Sequence, residues 1–346
     1  MKYIERMKEK FDALGKKRRV RILAIESSCD ETAVSIVENG RAILSNIISS
    51  QIEIHKRFGG VVPEVASRNH IVAITNVLNE ALEKANLTLK EIDAVAVTYG
   101  AGLIGALLVG INFAKALAFG LDVPLIAVSH IDGHIAANYL THSKLKPPFL
   151  CLMVSGGHTA IFDIDDYTSK KLLGTTQDDA AGEAFDKVAR VLGLPYPGGP
   201  NIEKLAKDGE NNIEFIKKEV LKGSLDFSFS GIKTAVVNYL HTHEQRGEEV
   251  NKADVACSFQ HYVTDELVKK AKLAAKTANR KKIVVAGGVG ANKLLQEKFG
   301  EKTFFPKLGL CTDNAAMIAS AAYYYVKAGK GLADLNLTAS PTVRLI

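Results

Sequence analysis

Cysteine is scarce in this chain and makes no pattern. Four cysteines among 346 residues, Cys29, Cys151, Cys257 and Cys311, lie far apart and form no C-x-x-C pair. That spacing argues against a zinc ribbon and against a disulfide framework. A signal peptide is lacking as well, so a reducing cytoplasm is the expected location. Long charge-free apolar runs are missing too. The best candidate, GLIGALLVGINFAKALAFG at 102–120, contains Lys115 and four glycines and reads as a buried helix, with no membrane expected. Neither phosphate-loop signature is present: there is no G-x-x-x-x-G-K-[ST] and no G-x-G-x-x-G in its required context.

Positive charge is in surplus, and the surplus is local. Residues 1–19 hold eight Lys/Arg against three acids, most of the chain's net +6. Ile4, Met7, Phe11 and Leu14 recur there at roughly helical spacing. The segment reads either as a solvated helical extension or as a nucleic-acid arm. Its acids argue against a mitochondrial transit peptide.

With 346 residues the chain exceeds one ordinary core, and two lobes are expected. From residue 21 strand and helix signals alternate. RILAIES is a strand, and AVSIVENGRAILSNIISS reads as strand, Asn-Gly turn, strand. NHIVAITNVLNEALEKAN has helical periodicity, and IDAVAVTYG and VPLIAVSH are buried strands, each followed by a helix. The pattern then restarts: PFLCLMVSGGHTAIFDID (148–165) resembles VRILAIESSCDETAVSIVEN (20–39) in its strand, small polar turn, Thr and second strand. Two α/β lobes, each opening with a hairpin, are expected to face each other across a cleft. The expected division is an extension at 1–20, a first lobe at 21–145 plus 320–346, and a second at 146–319.

Three turns of small residues follow buried strands: SSCDET, VSGGHT and AGGVGAN. Such turns let backbone N–H groups approach an anion, although each alone is also an ordinary strand-to-helix turn. Their number favours a nucleotide cleft.

In SHIDGH, His130 and His134 stand four residues apart at a strand end. On a helix both rings share one face, so the pair is either half of a metal site or two packed histidines. Asp313, before another small-residue helix, is available as a third, hard ligand. Two His and one carboxylate suit Fe(II) or Zn(II). The metallopeptidase arrangement H-E-x-x-H is excluded, because Ile131 occupies the position of the base and Asp132 points away from the His face.

In order along the chain stand IESSCDETAVSIV, FGGVVPEVASRNH, GLIGALLVG, HIDGH, VSGGHT, DDAAGEAFDKVARVLGLPYPGGP, DFSFSGIKTAV, AGGVGAN and CTDNAAMIA. Together they resemble the TsaD family of tRNA N6-adenosine threonylcarbamoyltransferases, bacterial or organellar type, over residues 20–346. The family was formerly labelled a sialoglycoprotein endopeptidase. The resemblance implies an actin/Hsp70/sugar-kinase (ASKHA) fold with a nucleotide cleft between two lobes. It implies transfer of a threonylcarbamoyl group from threonylcarbamoyl-adenylate (threonylcarbamoyl-AMP) to N6 of the adenosine 3′ of the anticodon. The acceptors would be tRNAs reading codons that begin with A. It carries the metal-ligand role onto His130, His134 and Asp313. The substrate or nucleotide role falls on Met153, Val154, Ser155, Gly156, Gly157, His158, Asp186, Gly199, Glu203 and Asn292, with ATP, ADP or AMP able to occupy the same place. Asp30 and Glu31 are candidates for taking the N6 proton, or they merely cap the hairpin. Lys233 is a phosphate or RNA contact or a structural residue. The implied partners are tRNA, a catalytically inactive TsaB-type paralogue and a TsaE-type P-loop ATPase; the organellar form is a homodimer. The alternative is a nucleotide-binding ATPase or scaffold subunit of the modification complex. One departure is Ala101, where the family motif has Pro.

Overall fold

The computed structural model describes residues 3–216 and 221–343. They form two compact units, Met1–Pro147 with Asp166–Ser169 and Pro306–Leu345, and Pro148–Asp165 with Lys170–Phe305. In the first, α1 (Tyr3–Lys16) precedes β1 (Arg21–Glu26), β2 (Glu31–Glu38) and β3 (Ala42–Ser50). There follow α2 (Pro63–Ala85), β4 (Ala94–Gly100), α3 (Ile104–Leu121), β5 (Leu125–Ser129) and α4 (His130–Thr141). The second holds β6 (Phe149–Val154), β7 (Thr159–Asp166), β8 (Ser169–Thr175), α5 (Ala181–Val191), α6 (Gly198–Ala206), α7 (Ser230–Gln245), α8 (Lys252–Thr277), β9 (Ile283–Ala286) and α9 (Lys293–Phe299). The chain returns to the first unit with α10 (Ala315–Lys327) and β10 (Leu332–Ala333).

Local chemistry explains the boundaries. Asn39 and Gly40, with φ of 53° and 68°, make the left-handed turn that joins β2 to β3. Pro63 opens α2 with its fixed φ, and Asn86 closes it in the left-handed conformation. The first sheet has the order β10-β5-β4-β1-β2-β3, the second β8-β7-β6-β9. In both, the opening hairpin is antiparallel and its first strand takes a parallel partner, β1 with β4 and β6 with β9. The short sequence similarity thus marks a repeat of topology. In the first core, Leu23, Ile25, Val95 and Val97 pack with Ile74 of α2 and Leu107 and Ile111 of α3. In the second, Leu150, Leu152 and Ile161 pack with Phe185, Phe227, Phe229 and Phe259. By length and composition α3 could cross a membrane. Here its Ala106, Leu107, Gly110, Ile111, Ala114 and Ala118 are buried, within the unit that holds the six-stranded sheet.

Two expected boundaries shift. Residues 1–20 are no separate extension: α1 buries Tyr3, Met7, Phe11 and Leu14, with Tyr3 in the place expected for Ile4. Each such side chain contributes about 1.5–3 kcal/mol on burial. The basic residues also have local partners. Arg6 and Lys10 pair with Asp122 at 3.1 and 2.6 Å, Lys17 pairs with Asp93 at 2.5 Å, and Arg19 pairs with Glu38. The second correction concerns Asp313. The first unit resumes at Pro306, not at residue 320, so Asp313 lies in the same unit as the histidine pair. The reason is packing: α10 lies along α4, and the Lys307 N–H donates to Thr141 Oγ1 at 2.9 Å.

Candidate metal centre

Three neighbouring parallel strands, β1, β4 and β5, deliver their C-terminal ends to one place, where α/β sheets carry their sites. β1 ends at Glu26, β4 brings Thr98, and β5 runs directly into His130, the first residue of α4. His134 follows one turn later. The loop before α10 brings Asp313 to the same point.

The three ligand atoms converge. His130 Nε2 and His134 Nε2 are 3.1 Å apart. Asp313 Oδ1 lies 3.4 Å from the first and 3.2 Å from the second. Around an ion with bonds of about 2.1 Å, adjacent ligands sit roughly 3.0 Å apart in an octahedron and roughly 3.4 Å apart in a tetrahedron. The observed triangle falls within that interval, so the donor set fits a divalent ion without rearrangement.

Glu26 completes the arrangement, and sequence reasoning missed it. Its carboxylate is fully buried. It accepts from Thr98 Oγ1 and from the Ser28 N–H, both at 2.6 Å. It lies 3.1 Å from His130 Nδ1, which is also 3.2 Å from Ser28 Oγ. A carboxylate can only accept, so Nδ1 carries the proton and Nε2 is turned to the site; carboxylate–imidazole pairs behind a metal work this way. The available signal was an acid directly after the apolar run ILAI of that strand. His134 Nδ1 is buried without a hydrogen-bond partner among the described residues, so only His130 is oriented this way.

Charge supports the same reading. Burial alone would lower the His130 pKa, but the Asp313 and then the Glu26 carboxylates outweigh it and hold the imidazole well above its usual range. Burial likewise works against the Asp313 and Glu26 anions, and His130 more than offsets it, keeping both below the usual carboxylate range. One buried anion, Glu26, and one half-buried anion, Asp313, that need positive charge are matched by a divalent ion.

The turn after β1 puts Asp30 and Glu31 in the same unit. Asp30 is buried, and its Oδ2 has no hydrogen-bond partner among the described residues. Burial, then the Asp313 and Asp30 charges, push the Glu31 carboxyl up to about 9. His70 of α2, also unforeseen, fastens this turn. Its Nε2 donates to the Cys29 carbonyl at 2.9 Å, and its Nδ1 accepts from Thr32 Oγ1 at 2.7 Å.

The residues nominated for substrate lie in the second unit. Met153 and Val154 end β6 inside the core. In the turn that follows, the His158 N–H donates to Ser155 Oγ at 3.1 Å, while Gly156 and Gly157 are exposed with open space where a Cβ would be. A Cβ on Gly182 of α5 would meet Ser155 O at 2.6 Å, and one on Gly287 would meet Val154 O at 2.4 Å. Asp186 accepts from the Gly198 N–H at 2.6 Å, which fixes the start of α6 and its open Gly199. Glu203 accepts from the Lys293 N–H at 3.2 Å. Asn292 caps α9 and donates to Gln260 Oε1 at 3.1 Å. These contacts join the nominated turns along the edge where β6 and β9 end. Asp186 and Asn292 hold backbone there, which the sequence did not disclose. Lys233 stands in the first turn of α7, half-buried, behind a loop that Asp178 fastens by accepting from the Phe229 N–H at 2.7 Å.

A family model for TsaD, tRNA N6-adenosine threonylcarbamoyltransferase, matches residues 42–320. The enzyme of that name from Clostridium perfringens (strain ATCC 13124) is 57% identical over 332 residues, 94% of this chain and 98% of its own. That from Clostridium botulinum (strain Hall) is 56% identical over 338 residues, 95% and 99% of the two chains. The chain belongs to the TsaD family. Solved structures agree on the fold at low identity. HypF from T. kodakarensis superposes with a TM-score of 0.62 at 14% identity, covering 90% of this chain and 48% of that one. The Acidaminococcus fermentans (R)-2-hydroxyglutaryl-CoA dehydratase component A gives 0.51 at 14% identity, covering 90% and 99%. The chain thus has the expected two-unit α/β fold of the ASKHA type.

Proposed function

We propose that this chain transfers the threonylcarbamoyl group of threonylcarbamoyl-adenylate to N6 of the adenosine 3′ of the anticodon in tRNAs reading codons that begin with A. The observation that carries the reading is the convergence of His130, His134 and Asp313, backed by Glu26, in a chain of this family. A bond forms between N6 and the carbamoyl carbon, the bond to the AMP phosphate breaks, and one N6 proton leaves. The amine is a weak nucleophile, because its lone pair is delocalised into the purine. The leaving group is good, so the protein chiefly positions and polarises.

His130, His134 and Asp313 would hold one divalent ion, Fe(II) or Zn(II). Such an ion would supply Lewis-acid stabilisation of a substrate oxygen. Glu26 keeps the His130 proton on Nδ1. The Ser155 N–H donates to the His158 carbonyl at 2.8 Å, so the N–H groups of Gly156 and Gly157 receive the phosphate, a role also open to the AMP, ADP or ATP moiety of a bound nucleotide. Asp30, buried with an unpartnered oxygen, is the better placed acceptor for the N6 proton. Glu31, with its pKa near 9, stays protonated at neutral pH and acts as a donor. The ion pairs of α1 leave less of its charge for RNA, so a TsaB-type paralogue and a TsaE-type ATPase, or a second copy of the chain, help present the tRNA in the cytoplasm.

The test is single-turnover transfer from threonylcarbamoyl-adenylate to an unmodified tRNA transcript, with and without partners. Modified adenosine formed in proportion to enzyme is expected. Nucleotide binding without transfer, under every combination of partner and metal, would establish the scaffold reading instead.

A further inference from the structure

Within HIDGH, Asp132 and Gly133 have no part in the chemistry described above. Both face α10, the helix that begins just after Asp313. A Cβ on Gly133 would lie 2.6 Å from Ile318 Cδ1 and 3.2 Å from Met317 Cγ, so the two helices touch closely there. Ser320 Oγ donates to the Ala136 carbonyl at 3.4 Å and to the Gly40 carbonyl at 2.7 Å. The Tyr325 hydroxyl donates to Asp132 Oδ2. Burial, and then the Asp132 charge, push the Tyr325 phenol up, so it remains the donor. Its ring is itself held, since a Cβ on Gly331 would lie 2.6 Å from Tyr325 Cδ2.

Much of the remaining helix contact is built from small side chains, with the Tyr139 and Tyr324 rings meeting at 5.0 Å beside them. Ala315, Ala316, Ala319, Ala321 and Ala322 of α10 are buried. A row of alanines gives close approach but marks register weakly, whereas directed polar contacts, here Tyr325 to Asp132 and the longer Ser320 to Ala136, fix it. Register matters here because α10 is rigid up to its start. Asn314 caps it by accepting from the Met317 N–H at 3.0 Å, and Asp313 is the residue before that cap. A slip of α10 against α4 therefore moves Asp313 relative to His130 and His134.

We propose that Asp132 is a positioning residue: through Tyr325 it sets the register of α10 against α4 and so the spacing of Asp313 from the histidine pair. This rests on the metal reading of that triad. It also gives HIDGH a division of labour, with two histidines for the ion, Gly133 for close approach and Asp132 for register.

Titration of the chelator-stripped full chain with Co(II), followed by calorimetry and by the visible absorption of the bound ion, tests the inference. The visible spectrum reports ligand geometry independently of activity. D132A and Y325F are each expected to weaken Co(II) binding about tenfold, as loss of a contact behind a ligand does, and to change the spectrum. Asp132→Asn keeps an oxygen that accepts from the phenol and should restore both. D132A/Y325F should bind no more weakly than either single variant, since both remove the same bond. Wild-type affinity and spectrum in Y325F, which loses only a hydroxyl and carries the test if D132A does not fold, would overturn the proposal. So would additive losses in the double variant. If the wild type itself binds no Co(II), the metal reading falls and this inference with it; binding in the wild type that H130A/H134A abolishes leaves positioning alone under test.

Discussion

The turn after β1 and the turn after β6 hold the same place in equivalent hairpins, yet one is filled and the other is bare. In the first, Ser27, Ser28 and Asp30 are buried and each backbone carbonyl from Ser28 to Asp30 accepts a hydrogen bond. Leu103 donates to Ser28, His70 to Cys29 and Gln51 to Asp30. In the second, Gly156 and Gly157 are exposed and nothing lies where their side chains would be. The duplicated scaffold says where chemistry is placed, at strand ends. The residues of each turn say which chemistry. A turn packed with carboxylates and locked carbonyls suits positive charge, whereas a turn of two open glycines lets backbone N–H groups approach negative charge.

The largest effect should come from emptying the charged side. H130A/H134A removes two ligands from the triangle. Lewis-acid stabilisation of about 4 kcal/mol corresponds to about a thousandfold in rate, so single-turnover transfer should fall by at least that much. The circular dichroism spectrum should not change, because the pair sits at the start of a helix that α10 holds in place. Undiminished transfer in a folded, metal-free double variant would overturn the metal reading of this side. Next is Glu26→Gln. The amide keeps the shape and loses the charge, and Thr98, Ser28 and His130 then compete for one acceptor oxygen. Metal affinity should drop about 10–100-fold with transfer following it. An unchanged affinity would mean that His130 needs no orienting partner.

How far the sequence disclosed this differs between the two sides. The hairpins, Asn39–Gly40, both buried parallel strands and the histidine pair were legible because each is a local pattern: alternation, a turn dipeptide, a spacing of four. Glu26, His70 and the Asp132–Tyr325 bond were not legible, because each acts across strands or between helices far apart in the chain. Asp313 was found as a residue but assigned to the wrong unit, since nothing in CTDNAAMIA says that the chain has already crossed back at Pro306. The apolar stripe of α1 was visible too. Its period could not show that Met7 and Phe11 pack into the first unit, nor that Asp122 awaits Lys10 and Asp93 awaits Lys17 just beyond the helix. In the second unit, Asp186 and Asn292 had been expected to touch substrate. Asp186 accepts from the start of α6 and Asn292 from the start of α9, so each holds backbone there.

A smaller effect, on stability, tests how the bare turn is supported. On Gly182 a methyl group would press on Ser155 O at 2.6 Å and on Gly156 Cα and N at 2.8 Å, all of them backbone atoms that cannot swing aside. Gly182→Ala should therefore cost about 1–3 kcal/mol, partly offset by the better helix propensity of alanine. A melting temperature lower by a few degrees in thermal denaturation would record it. A rise would mean that α5 has room to move off the turn.

Smallest, and most specific to the bare turn, is Gly156→Ala. Its Cβ would enter open space, and the backbone there is not left-handed, so the melting temperature should not move. If the turn's N–H groups receive the donor's phosphate, the methyl group crowds that approach and weakens about one hydrogen bond of about 1 kcal/mol. That is about fivefold in binding. The loss should fall on the KM for threonylcarbamoyl-adenylate with kcat preserved, because phosphate contacts made in the ground state persist in the transition state. The same substitution should leave Co(II) affinity at the histidine triad untouched, which separates the two turns in one variant. A fall in kcat at constant KM would place the turn's role in the chemical step and dissolve the division drawn between the charged turn and the bare one.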